Sequence, residues 1–236
     1  SSFIRGMWIN RQSLAINNGK LSLENLKVST EYASDYFGDI SGLYAHNNSA
    51  VTNTGSISIN NADAAKIYGI YHVKKRNADS DKDEGDNSPV DCGDECLKNP
   101  NILINSGNIN ISNATGTVYG IYGDNIQIKN TGNITLTGVN AETSKGIYAI
   151  NGSKVYNSGT ITINGESYNK NEADGKFIYI DSSSSMINES EITVSTAFDT
   201  AALGGGKFVL GKDGKITAPE IKGDITADAG ITSGGF

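Results

Sequence analysis

The densest group of carboxylates in this chain is an acidic run that could hold a metal ion. Asp79, Asp81 and Asp83 have the one-three-five spacing of a calcium-binding EF-hand loop. Glu84, however, stands where that loop needs a glycine, and Val90 stands where it needs a bidentate glutamate. A loose calcium site at the three aspartates is therefore the weaker interpretation, and a solvated acidic run without a cofactor is preferred.

The two cysteines of the chain, Cys92 and Cys96, lie four residues apart in the same polar stretch. No further cysteine and no nearby histidine accompanies them, which disfavours a metal site. We expect them to close a small disulfide loop, a bond that is typical of an oxidising, extracytoplasmic setting. Their spacing alone leaves free thiols as the alternative.

Groups that could catalyse a reaction are sparse. His46 and His72 are the two histidines, and the sequence contains no Gly-x-Ser-x-Gly nucleophile motif. Glu24, Glu31 and Asp39 occupy a loop-like stretch, where two carboxylates could act as acid and base on a polysaccharide. Nothing in their spacing selects one pair, so we expect a protein that is not an enzyme.

Charge and composition narrow the classes of partner. The 236 residues carry 19 basic and 26 acidic side chains, a net charge of −7. Only Arg5, Arg11 and Arg76 supply a guanidinium group, so the basic stripe that phosphate recognition needs is missing and nucleic acid is not expected as a partner. The 28 glycines and only three prolines are typical of short strands joined by tight turns.

The elements that must position these residues are sequence repeats. A Gly-aliphatic-Tyr triplet recurs, followed about eleven residues later by Asn-x-Gly and then by alternating aliphatic residues. Clear copies begin at Gly42, Gly120 and Gly146, and a further copy at Gly69 is interrupted by a long insertion. Degenerate copies begin at Gly6 and at Ile178.

The length of the repeat predicts the architecture. Gly42 and Gly69 are 27 residues apart, and Gly120 and Gly146 are 26 apart. The interval from Gly69 to Gly120 is 51 residues, which becomes 24 once the insertion at 74–100 is removed. Alternating aliphatic residues indicate strands rather than helices. We therefore predict an all-β chain that forms a parallel β-helix solenoid, with the insertion protruding from it.

Stacking of the repeats predicts columns of equivalent side chains. Three inward columns should contain Ile57, Ile109, Ile134, Ile161 and Ile192; Ile59, Ile111, Leu136, Ile163 and Val194; and Val51, Leu103, Ile128, Val155 and Met186. A ladder of stacked amides should contain Asn17, Asn53, Asn105, Asn130, Asn157 and Asn188. Every ladder asparagine except Asn188 is followed two residues later by a turn glycine, which we interpret as a residue with a positive φ angle.

Two features could bind a partner. If Leu43, Ile70, Ile121, Ile147 and Ile178 face inward, an outward aromatic column should contain Tyr44, Tyr71, Tyr122, Tyr148 and Tyr179. Trp8 would extend this column, and Tyr68 and Tyr119 would lie on the other face, packed inside or near an edge. Such a column could bind sugars or a protein, and the alternative is that its rings only stack on one another.

The insertion at 74–100 is the second candidate, because long loops on a rigid scaffold often carry recognition. Its candidate binding residues are Lys74, Lys75, Arg76, Asp81, Asp83 and Glu84. The alternative is a tolerated, solvated insertion that has no partner.

The Gly-Ile-Tyr and Asn-(Ser/Thr)-Gly-x-Ile-x-Ile units over residues 6–194 resemble the passenger repeats of Gram-negative autotransporter proteins. The resemblance implies a right-handed β-helix in a cell-surface or secreted virulence protein, commonly an adhesin or a toxin. It also implies that residues 1–236 are a fragment of a longer passenger, anchored by an outer-membrane barrel that lies outside this sequence. Residues 204–236 lose the repeat and are expected to form irregular final coils or a transition segment.

These observations predict an interaction module that mediates adhesion to host cells or between sister cells. Its partner would be a host-surface protein or glycan, or a second copy of the same protein. A polysaccharide-active enzyme and a structural spacer that binds nothing are the alternatives.

Overall fold

The structure, a computed structural model, describes residues 3–10, 13–28, 38–74, 101–140, 143–166 and 177–227. Within these ranges the regular secondary structure is β-strand, apart from one short 3-10 helix at Thr200–Leu203. The larger sheet contains β1 (Phe3–Ile9), β3 (Lys20–Lys27), β4 (Asp39–His46), β6 (Ser56–Val73), β8 (Asn108–Asp124), β10 (Ile134–Asn140), β11 (Lys145–Ile150), β13 (Ile161–Glu166), β14 (Ile178–Ile180), β16 (Glu191–Val194) and β19 (Lys215–Thr217). The second sheet contains β2 (Leu14–Asn17), β5 (Ala50–Asn53), β7 (Ile102–Asn105), β9 (Gln127–Asn130), β12 (Lys154–Asn157), β15 (Ser185–Asn188), β18 (Lys207–Leu210) and β21 (Thr226–Ala227). A small third sheet pairs β17 (Phe198–Asp199) with β20 (Ile221–Lys222).

Both large sheets are parallel, and each strand pairs with the equivalent strand of the next repeat. In the second sheet the order is β2-β5-β7-β9-β12-β15-β18-β21, so the chain returns to this sheet once in every repeat. The larger sheet receives two segments per repeat, one with the Gly-Ile-Tyr triplet and one with the alternating aliphatics. In β6 and β8 these two segments are continuous through Asn61 and Asn113, which have φ angles of 52°. Asparagine tolerates this left-handed conformation better than most residues that carry a side chain.

The three inward columns that the sequence predicts are confirmed. Ile57 pairs with Ile109, and Ile134 pairs with both Ile109 and Ile161, while Ile161 also pairs with Ile192. Every member of the three columns is buried, with an exposure of 3% or less. Because full burial of such a side chain stabilises the fold by about 1.5–3 kcal/mol, these columns form the core that holds the sheets together.

The asparagine ladder is also confirmed, and its bonds run in one direction. The side-chain amide of Asn17 donates to the side-chain oxygen of Asn53 at 2.7 Å. The four following bonds, through Asn105, Asn130 and Asn157 to Asn188, each measure 2.6 Å. The ladder ends there because the next register partner of Asn188 is Leu210. Since five of the six asparagines have no exposed surface, each buried amide depends on its neighbours for its hydrogen bonds.

The turn glycine that stands two residues after a ladder asparagine has a different role from the one predicted. Gly55, Gly107, Gly132 and Gly159 do not have positive φ angles. Instead, a Cβ atom at Gly132 would overlap the carbonyl oxygen of Gly107, and the same overlap recurs at the other three. Glycine is therefore required by the close approach of successive turns. Gly19, in the first repeat, has nothing within 4 Å of such a Cβ atom.

The insertion lies between two strands that pair normally with the next repeat. Val73, the last residue of β6, pairs with Asp124, and Ile102, the first residue of β7, pairs with Gln127. Residues 75–100 lie outside the described residues, and so does the expected disulfide between Cys92 and Cys96. At the other end, β18, β19 and β21 extend both large sheets into the region that the sequence predicts to be irregular.

Substitution of a turn glycine tests the close approach. We expect Gly132→Ala to lower the free energy of unfolding by about 1–3 kcal/mol or more, because the methyl group forces two turns apart. Gly19→Ala is the matched control and should leave stability nearly unchanged. Urea unfolding followed by circular dichroism measures both, and equal losses would contradict the explanation.

Removal of one ladder amide tests the asparagine column. Asn130→Ala takes the acceptor from Asn105 and the donor from Asn157, both buried, and should cost about 1–3 kcal/mol of unfolding free energy. Asn133→Ala, three residues away at an exposed position, is the control and should cost much less. A loss at Asn130 no larger than that at Asn133 would show that the ladder contributes little to stability.

Candidate functional site

Five tyrosines form a stacked column on the outer side of the larger sheet, as the alternation of the strands predicts. Successive ring centroids are 4.5, 4.8, 4.9 and 4.7 Å apart, with interplanar angles between 9° and 17°. Each ring is partly exposed, whereas the aliphatic residue before it is buried. We call this set the tyrosine column, and in order along the sheet it consists of Tyr44, Tyr71, Tyr122, Tyr148 and Tyr179.

The glycine of each Gly-aliphatic-Tyr triplet makes room for the core. A Cβ atom at Gly69 would lie 2.5 Å from the Cγ2 atom of Ile109 and 2.6 Å from the carbonyl oxygen of Gly120. Equivalent contacts occur at Gly42 and Gly120. Only glycine therefore lets a core isoleucine pack against the strand that carries the tyrosine.

Tyr68 and Tyr119 belong to the same cluster, which corrects the expectation that they lie on the other face. Their rings stack with centroids 5.1 Å apart, and Tyr68 lies edge-on to Tyr71 at 4.9 Å. The register pairs Tyr68 and then Ile70 with the next strand but leaves Gly69 unpaired, so the strict alternation fails at this glycine. Both tyrosines are buried, with exposures of 3% and 9%.

Both ends of the tyrosine column are in contact with other groups. The guanidinium carbon of Arg5 lies 3.6 Å from the ring centroid of Tyr44, a close cation–π contact. Trp8 pairs with Tyr44 in the register, but its indole N–H donates to Nε2 of His46 at 3.3 Å and it is 60% exposed. At the far end, a Cβ atom at Gly204 would lie 2.7 Å from the ring of Tyr179.

These contacts decide which surface the column offers to a partner. Each inner ring has a neighbouring ring over both of its faces, so the prediction that the rings stack on one another is confirmed. A sugar stacks on the open face of an aromatic ring, and the inner rings have no such face. What the column presents outward is a row of ring edges and hydroxyl groups, repeated at the spacing of the strands.

Burial raises the pKa of tyrosines in this cluster. The pKa of Tyr119 rises to about 12, first because of burial and then because of Tyr148 and Asp39 nearby. Burial is also the largest cause of the raised pKa values of Tyr68, Tyr71 and Tyr148. These hydroxyl groups therefore stay protonated at neutral pH and can donate as well as accept hydrogen bonds.

Two carboxylates that the sequence analysis does not single out lie beside the column. Asn151, with a φ angle of 59°, donates its backbone N–H to Asp181 at 2.8 Å and its side-chain amide to Asp124 at 2.7 Å. Burial acts to raise the pKa of Asp181, but hydrogen bonds from Asn151, Ser184 and Ser183 lower it overall. The signal for these residues was an Asp two positions after Tyr122 and Tyr179.

The carboxylates that the sequence places in a loop-like stretch lie on strands instead, where the structure describes them. Glu24 is part of β3, and Asp39 begins β4 beside its register partner Lys66. Burial raises the pKa of Asp39, although Lys66 and Arg5 oppose this shift. Glu31 lies outside the described residues.

His72 occupies an inward position and has no exposed surface. Its register partners are Ala45 and Gly123, and neither ring nitrogen has a hydrogen-bond partner of good geometry among the described residues. Burial lowers the pKa of His72 to about 4, with Ser49 opposing and His46 reinforcing the shift. His72 is therefore a neutral member of the core at physiological pH.

Of the candidate residues in the insertion, the structure describes only Lys74. Its backbone N–H donates to the carbonyl oxygen of Asp124 at 3.0 Å, which ties the start of the insertion to the next repeat. Lys75, Arg76, Asp81, Asp83 and Glu84 lie outside the described residues, as does the calcium hypothesis at Asp79, Asp81 and Asp83. The described residues contain no group of three or more His, Cys, Asp or Glu side chains arranged to hold a metal ion.

In the part of the chain that the structure describes, no helix has the length and apolar character needed to cross a membrane. No protein-family model matches this chain, and no curated protein or solved structure is significantly similar to it. Its function must therefore be argued from the repeat and from the tyrosine column.

The buried imidazole predicts a loss of stability in mild acid. The pKa of His72 is about 4 in the folded chain and near 6.5 when unfolded, so the unfolded chain binds the extra proton between these values. Stability from this group is complete above pH 6.5 and falls by about 3 kcal/mol as the pH drops to about 4.

The measurement is the free energy of urea unfolding between pH 7 and pH 4, compared for the wild type and His72→Leu. The leucine has similar bulk and no proton to bind, so its curve should be flatter over this range. The carboxylates titrate in both chains, so their effect on the free energy of unfolding cancels in the comparison. Parallel curves would show that His72 does not titrate with a lowered pKa.

Proposed function

We propose that this chain is a right-handed parallel β-helix from the surface-displayed passenger of an autotransporter adhesin. Two parallel sheets that each receive strands from every repeat support the helical path, as do the Asn ladder and the Gly-Ile-Tyr triplets. The handedness, the autotransporter family and the location at the outer surface of a Gram-negative bacterium rest on the resemblance of the repeats.

The observation that carries the adhesive function is the tyrosine column. Its partly exposed rings form one continuous row, and tyrosine is favoured at the energetic centres of protein interfaces. Stacked rings also lose little conformational freedom when a partner binds, because their neighbours already restrict them. A rigid row of hydroxyl groups therefore suits the capture of another surface.

The chemistry of the column favours a protein partner over a glycan. A glycan that binds aromatic side chains usually stacks on an open ring face, whereas this column offers ring edges and hydroxyl groups. Asp124 and Asp181 add acceptors at its border. We infer that the partner is a protein surface rich in hydrogen-bonding groups, on a host cell or on a second copy of this protein.

Bead adhesion tests the column directly. Beads coated with the full chain are counted on epithelial cells and against each other, and compared with beads that carry Tyr71→Phe, Tyr122→Phe and Tyr148→Phe together. The triple variant keeps the stacked rings and removes three hydroxyl groups. Since each hydrogen bond contributes about 0.5–1.5 kcal/mol, we expect attachment to weaken at least about tenfold.

Two controls locate the binding surface. Tyr156→Phe removes a hydroxyl group from β12 in the second sheet and should leave attachment unchanged. Deletion of residues 75–100 leaves Lys74 and Asn101 between β6 and β7, where the next repeat has Asn125 and Ile126 between β8 and β9. The shortened repeat should therefore fold normally.

Each outcome has a distinct meaning. Attachment that survives the deletion but not the triple variant supports the tyrosine column. Attachment that is lost only with the deletion would move recognition to the insertion. If the folded wild-type chain attaches to nothing, the adhesive function is wrong and the structural spacer takes its place.

A further inference from the structure

Beyond adhesion, we propose that the tyrosine column is a site of oxidative cross-linking, at which dityrosine bonds join successive repeats. Among the described residues, this cluster alone brings several partly exposed tyrosine rings into stacking contact. Seven of the eleven tyrosines lie in one cluster, and five of them form a single partly exposed stack.

The distance between the rings favours coupling within the chain. Two phenoxyl radicals couple through the ring carbons ortho to the hydroxyl group, and neighbouring rings here have centroids 4.5–4.9 Å apart in nearly parallel planes. Partners held this close react as though present at very high concentration, so coupling within one molecule outpaces coupling between molecules in dilute solution. In-register strands also place equivalent atoms side by side.

The exposure of the rings decides which tyrosines take part. The column is partly exposed, so an oxidant can reach its ring edges, whereas Tyr68 and Tyr119 are buried at 3% and 9% exposure. Links should therefore join neighbours within the column, such as Tyr71 with Tyr122 or Tyr122 with Tyr148. The buried pair, Tyr68 and Tyr119, should react little.

The oxidant that the reaction needs is a peroxide together with a haem peroxidase. Each of two phenols gives up one hydrogen atom, as an electron and a proton, and the two radicals form one carbon–carbon bond. The hydrogen atoms on the coupled ring carbons then move to the two oxygens, which restores both aromatic rings. Hydrogen peroxide takes the two hydrogen atoms that were lost and becomes two molecules of water.

The consequence is a covalent bond between repeats that otherwise associate through non-covalent contacts. Tyr122 and Tyr148 are 26 residues apart, so one link closes a loop of about one repeat. A closed loop restricts the unfolded chain and raises stability, as a disulfide does. An oxidising environment would thus raise the stability of the linked repeats against unfolding.

The test treats the dilute full chain with a haem peroxidase and hydrogen peroxide. Dityrosine fluorescence, intact mass and mapping of linked peptides by mass spectrometry follow the products. We expect monomers that lose two hydrogen atoms per link, links between neighbouring column tyrosines, and a higher urea midpoint. The same chain unfolded in urea should give less dityrosine within each molecule and no preference for neighbours.

Two variants keep the proposal falsifiable. Tyr122→Phe keeps the stack but removes the central phenol, so the initial rate of dityrosine formation should fall to about half, because two of the four neighbouring pairs are lost, and links should form only between Tyr44 and Tyr71 and between Tyr148 and Tyr179. Tyr156→Phe, in the second sheet, should leave the rate unchanged. The proposal is overturned if only links between molecules form, if links scatter among distant tyrosines, or if both variants behave alike. None of these outcomes depends on adhesion.

Discussion

The contact on which the rest of this structure depends is the approach of successive turns at the Asn-x-Gly sequence. At Gly107, Gly132 and Gly159 the backbone of one repeat lies so close to the previous repeat that no side chain fits between them. In the same turns each ladder asparagine donates its amide to the next. A slip of one residue would place a side chain in the contact and break the ladder, so the turn holds the register of every strand.

The core and the outer surface both follow from that register. Because equivalent residues lie one above another, a single inward isoleucine per repeat becomes a buried column, and a single outward tyrosine becomes a stack of rings. The stack is closed to ligands that need a ring face and open to those that contact edges and hydroxyl groups. The same closeness that stabilises the rings brings them within reach of oxidative coupling.

The two ends of the described structure differ from its middle. Four apolar side chains on the first strands are 40–60% exposed: Phe3, Trp8, Leu14 and Ile16. In later repeats the equivalent positions are covered by the preceding repeat as well as by the following one. At the other end Leu210 replaces the ladder asparagine, so no further side-chain amide hydrogen bond can extend the ladder. The repeats are therefore equivalent in their core contacts and unequal in what they expose.

The periodicity of the sequence predicted most of the fold. Parallel strands, three inward columns, the asparagine ladder and the outward face of five tyrosines all follow from the order of residues, since a repeat must stack on itself to bury its apolar face. The reason for the turn glycines did not follow, because positive φ and close approach both select glycine and cannot be separated without coordinates. Nor did the position of Tyr68 and Tyr119, since alternation fails at an unpaired glycine. Several features depend on contacts between residues that are distant in the chain. They are Arg5 over Tyr44, Asp124 and Asp181 beside the column, and the buried His72. Such contacts depend on how repeats pack in space; the Asp two positions after Tyr122 and Tyr179 marks two of these residues in the sequence but not the groups that they contact.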